Sequence, residues 1–164
     1  MRGDRDRRSL TCSRRARRSS SERGPDSGLD TRRDARDRSC VLARYTMARG
    51  VPASKLPKGI RQDTRKHTKH VLRPTPELVA SVIGKDDAAA WRDFAKRYRA
   101  LLDQRFAADR APFDQLAELA REQDVLLGCS CPSAANPDVH RCHTTHALAF
   151  MKKHYPDLDV RMPE

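Results

Sequence analysis

The chain has 164 residues, with 34 Lys and Arg against 22 Asp and Glu and a formal net charge of +12. That length supports one folded domain, and no apolar run approaches the length of a membrane span. The basic balance favours phosphate-bearing partners, nucleic acid among them, and five cysteines without a secretory leader point to a reducing, cytoplasmic setting with free or metal-bound thiols.

The charge is unevenly placed. Residues 1–38 hold thirteen Arg against seven acids, residues 39–73 nine basic groups against one acid, and residues 74–164 twelve basic groups against fourteen acids. The first segment alternates Arg with Asp, Ser and Gly and lacks aromatics, so it offers too little apolar surface to offset its ordering entropy. It is expected to be a disordered basic leader, either an arm whose guanidinium groups pair with phosphates or the product of a reading frame opened too far upstream. The folded domain is expected over 39–164.

Within Ser39 to Arg49, Cys40, Val41, Leu42, Tyr45 and Met47 form a compact apolar set that predicts a first strand. Gly50, Pro52, Pro57 and Gly59 then break the pattern, and Lys55, Lys58, Arg61, Arg65, Lys66, Lys69 and Arg73 make a basic connector with His67 and His70 interleaved. The connector reads as a solvated charge run or as an anion-facing loop. Val71 and Leu72 are too short a run to define a strand.

Thr75 and Pro76 are suited to the N-cap and first position of a short helix reaching Ile83 and ended by Gly84. From Asp86 to Ala107, Trp91, Phe94, Ala95, Tyr98, Leu101, Leu102 and Phe106 fall on one helical face, with Arg92, Arg99 and Arg105 mainly off it. Phe113, Leu116, Ala117 and Ala120 repeat that spacing in a helix from Phe113 to Gln123. Val125, Leu126 and Leu127 form a continuous apolar run, as in a strand covered on both faces. Thr144 to His154 is expected to be helical, with Ala147, Leu148 and Met151 inward and Lys152, Lys153 and His154 at the end where cations suit the helix dipole. Leu158, Val160 and Met162 alternate with charged residues, which predicts a last, half-exposed strand. Short buried strands between amphipathic helices indicate a small three-layer α/β domain with a mostly parallel sheet.

The chemistry is concentrated between Val125 and Tyr155, which hold Cys129, Cys131, His140, Cys142, His143 and His146. An apolar strand ending in Cys, a loop and a Cys-His pair opening a helix, preceded by WRDFAKRYRALL and LAELAREQDVLL, resembles the domain of unknown function 488 family over roughly residues 39–164. The resemblance implies a small α/β domain with a parallel core and no particular reaction. By it, Cys129 or Cys131 corresponds to the strand-end cysteine, and Cys142 with His143 to the pair. The family's following arginine is Thr144 here, with Arg141 just ahead of the pair. Cys131 and the longer loop SAANPDVHR depart from the family pattern.

Ligands gather at the carboxyl ends of parallel strands, and a helix start offers free N–H groups to anions. Three readings of the loop follow beside a plain packing role for Cys129 and His143. Cys129, Cys131, Cys142, His143 and His146 are candidate zinc ligands by chemistry, although their spacing is unusual. Cys142 with His143 is a candidate catalytic pair, with a thiolate favoured by the helix start. Arg141 and Thr144 are candidates to bind the anionic group of a phosphate-bearing ligand, a nucleotide or nucleic acid.

Overall fold

The computed structural model of the protein describes residues 39–164; the expectation of a disordered leader over 1–38 lies outside them. The strands are β1 (Val41–Thr46), β2 (Ile60–Asp63), β3 (Val125–Cys129) and β4 (Asp159–Val160), and the helices are α1 (Pro76–Ala80), α2 (Ala88–Ala108), α3 (Ala111–Glu122) and α4 (His143–His154). All strand pairs are parallel, in the order β2-β3-β1-β4. The expectation of an α/β domain with a mostly parallel sheet therefore holds, and the sheet is wholly parallel.

Asp124 sets the register at the start of β3. Its carboxylate accepts the Val41 N–H at 3.0 Å and its carbonyl accepts the Ile60 N–H at 2.7 Å, so one residue aligns the starts of β1 and β2. Leu42 and Ile60 consequently both lie opposite Val125. Gly59, at φ +121, permits that approach, because a Cβ there would stand 2.7 Å from the Asp124 carbonyl oxygen.

The two crossovers that carry α-helices, from β2 to β3 and from β3 to β4, step the same way along the sheet, opposite to the β1-to-β2 connection, and right-handed connections then place their helices on the same face. The core lies there. Leu42, Val125 and Leu127 on that face meet Leu78 of α1, Phe94, Tyr98 and Leu102 of α2, Phe113 and Leu116 of α3, and Leu148 and Met151 of α4. On the opposite face, Gly128 lies closely under Tyr45 and Met47.

Three sequence expectations change. The basic connector contains β2, which has one large apolar residue and therefore no legible alternation; its backbone bonds to β3 make it a strand. The first helix is α-helical only to Ala80 and continues as turns to Gly84, at φ +73. The last strand is two residues long, and Met162 beyond it is exposed. Arg105 also turns inward from its polar face. It donates to the carbonyls of Val71 and Arg73, each at 2.6 Å, while the Tyr98 hydroxyl donates to Leu72. Three successive carbonyls without strand partners are thus satisfied by α2.

His70 shares this neighbourhood. Its Nδ1 accepts the Leu72 N–H at 3.1 Å and its Nε2 faces Gln62 Oε1 at 2.5 Å, which fixes a neutral ring with the proton on Nε2. Burial, and secondarily His143, lowers its pKa to about 4 from the ordinary 6.5. The unfolded chain therefore binds a proton between pH 6.5 and 4 that the folded chain refuses, so this contribution to stability is full above 6.5 and lost on the way down to 4. A loss on the order of 2 kcal/mol is expected, allowing for screening at the partly exposed ring. Urea unfolding at pH 7 and 4.5 should show it, and His70→Gln should flatten the difference; equal slopes in both proteins would refute the assignment.

Candidate metal and ligand site

The carboxyl end of β3 and the start of α4 meet at one edge of the sheet. Cys129 is the last residue of β3, Cys131 lies two residues on in the loop, and Cys142 is the N-cap of α4. All three are free; Cys129 and Cys142 are buried and Cys131 is partly exposed. Their Sγ atoms all lie within 4.8 Å of one another. Ten intervening residues in the loop are folded back by the turn pairing Ser133 with Asn136 and by a 3-10 turn at Val139–Arg141.

His143 adjoins this group, and the direction of its ring hydrogen bond follows from its neighbours. Thr64 Oγ1 donates its one hydrogen to the Gly128 carbonyl at 3.0 Å, so its 3.0 Å contact with His143 Nε2 requires the ring to donate. The Nδ1 lone pair is then left facing Cys129 Sγ at 3.7 Å and Cys142 Sγ at 3.8 Å. His143 is outside the set of three mutually close thiols. His146, one turn further along α4, is also outside it and lies beside the Phe94 ring, 6.4 Å between centroids. Burial first, then Arg99, lowers its pKa.

A third group of residues holds the thiols from below. Arg44, in the middle of β1, donates through Nε to Thr144 Oγ1 at 3.3 Å, and the Thr144 hydroxyl donates to Cys142 Sγ at 3.1 Å. The same guanidinium bonds the Cys131 carbonyl, which also accepts from Thr46 Oγ1 at 3.0 Å. Asn136 Nδ2 donates to Cys131 Sγ at 3.4 Å. Thr144, a candidate anion contact by sequence, is fully buried in this arrangement. Arg141 pairs with Asp138 at 3.2 Å and Asp86 at 3.4 Å. Hydrogen bonds from Cys129 and then Cys131 hold the Cys142 thiol well below the usual range, whereas the bonds to Cys131 and Cys142 push Cys129 up.

A cavity of about 300 Å³ opens beside the thiols. Its lining includes Cys129, Cys131, Cys142, His143 and Asn136, the apolar Val79, Val82, Trp91 and Phe94, and the polar Arg65, Lys66, His67 and Arg141. Sequence reasoning missed Arg44, Thr64 and Asn136. Only Arg44 carried a signal, as a charged residue inside the apolar strand VLARYT.

Fold and cavity together define a small parallel α/β protein with a cysteine-rich centre at the carboxyl edge of its sheet. The family model described as the active DUF488-N3 subclade matches residues 27–154, and the chain belongs to the domain of unknown function 488 family. No curated protein and no solved structure matches it. No helix among the described residues is long and apolar enough to cross a membrane.

Proposed function

We infer that Cys129, Cys131 and Cys142 hold one zinc ion, and that the resulting centre acts on a small molecule in the adjoining cavity. The observation that carries this reading is the convergence of three free thiols at the cavity wall. Thiolates suit zinc, and a set of three protein ligands leaves a coordination position for an incoming group. A zinc ion so held supplies a Lewis acid toward a polar atom of the bound molecule. His143, with Nε2 tied to Thr64 and its Nδ1 lone pair turned to the thiols, is placed to accept a proton there. The family's description as an active subclade supports a catalytic role over a purely structural one.

The expected result is about one zinc per chain after purification without added metal. Cys131→Ser should lower that content because it removes a ligand, and Cys131 is the least buried of the three thiols. His143→Gln should retain the ion. Metal-free wild-type protein would overturn the zinc reading. A second reading then stands on the Thr144 bond to Cys142 Sγ and the position of Cys142 at a helix start: Cys142 is a nucleophilic thiolate, with Cys129 or Cys131 as resolving partner. Alkylation of each cysteine against pH checks it, and an ordinary thiol pKa at Cys142 in metal-free protein would defeat it.

A further inference from the structure

The cavity lining is mixed in kind. Val79, Val82 and Trp91 contribute hydrocarbon to the lining and Arg65, Lys66 and Arg141 contribute cationic groups, while no carboxylate is among the lining residues. Arg65 is forked onto Asp63 through Nε and Nη2, and Arg141 meets its two aspartates through Nε and Nη1. That leaves Nη1 of Arg65 and Nη2 of Arg141 outside those pairs. Lys66 is exposed and has no carboxylate partner among the described residues. Asp63 offsets the charge of Arg65, and Asp138 with Asp86 that of Arg141, so Lys66 is the cation without a carboxylate partner among the described residues, and the remaining guanidinium N–H groups offer directed donors to an anion's oxygens. A volume of about 300 Å³ is at the small end of ligand sites and suits a small molecule.

We propose that the ligand of this site is a small organic phosphate monoester, with its phosphate at Lys66, Arg65 and Arg141 and its apolar body against Val79, Val82 and Trp91. This deepens the zinc reading by naming the substrate class for the same centre. The phosphate end fixes the molecule at the cationic groups, and the apolar end packs on the hydrocarbon of the lining. Apolar burial and charge act on different parts of one ligand, so neither half alone should bind well.

Trp91 is the only tryptophan in the sequence and is among the lining residues, which makes its emission a reporter of occupancy. Full-length protein would be titrated with phenyl phosphate, with inorganic phosphate and with benzyl alcohol, and zinc would be measured in every sample. Phenyl phosphate should give a saturable change at a concentration at least about tenfold below either half-ligand, corresponding to about 1.4 kcal/mol. Lys66→Ala should weaken phenyl phosphate several-fold and leave benzyl alcohol unchanged. Ile83→Glu, at an exposed cavity position that demands no core rearrangement, should also weaken it by placing a negative charge at the rim. Inorganic phosphate binding as tightly as phenyl phosphate would show a bare anion site and overturn the proposal, as would unchanged phenyl phosphate binding in both variants. Zinc content separates the two readings: zinc present without phenyl phosphate binding defeats only the ligand class, and binding without zinc defeats only the metal centre.

Discussion

Replacing Phe94 with alanine is expected to destabilise the protein by about 3–5 kcal/mol, whereas Arg99→Ala should change stability by no more than about 0.5 kcal/mol. Phe94 is 3% exposed, stacks on Tyr98 with 5.9 Å between centroids, and meets Trp91 edge-on at 5.7 Å. Its truncation leaves a void beside an existing cavity and strips partners from two other aromatic rings. Arg99 lies five residues further along α2 on the exposed side and, among the described residues, hydrogen-bonds the Ala95 carbonyl of its own helix, at 3.1 Å. Urea midpoints of the two variants give the comparison directly. Similar losses would mean that α2 presents another face to the core.

Chelation is the second large effect. If the three thiols hold zinc, the folded chain binds the ion through residues that only the fold assembles, and removing it withdraws stability in proportion to the logarithm of free zinc over its dissociation constant. A strong chelator should remove about 3 kcal/mol or more and lower the melting temperature by roughly ten degrees for a domain of this size. Alkylation of Cys131 and Cys142 should accelerate in the same samples, and added zinc should reverse both changes. An unmoved melting temperature with equally reactive thiols before and after chelation would remove the ion from the account.

The elements that could be read from sequence are those whose own residues carry a period. Trp91, Phe94, Tyr98 and Leu102 lie inward as their spacing requires, and so do Phe113, Leu116, Ala117 and Ala120. The run from Val125 is buried throughout, as its lack of polar alternation indicates. β2 was not legible, because Ile60-Arg61-Gln62-Asp63 becomes a strand through backbone pairing with a segment more than sixty residues later. The meeting of Cys129 and Cys131 with Cys142 follows from parallel topology, since a strand end and the next helix start share an edge. The exclusion of His146 from the thiol group did not follow, although chemistry alone made it a candidate ligand. Nor did the roles of Arg44 and Thr64, whose hydrogen bonds to the site span 100 and 79 residues.

The strand order has a consequence during synthesis on the ribosome. β1 is made first among the four strands, yet both of its sheet neighbours, β3 and β4, come later in the chain. The Val41 bond to Asp124 closes across 83 residues. Until β3 has left the exit tunnel, the first strand has neither of its native neighbours, and its Val-Leu end remains available to any holding chaperone or to another nascent chain. A stretch of slow translation between residues 60 and 125 would lengthen that exposure.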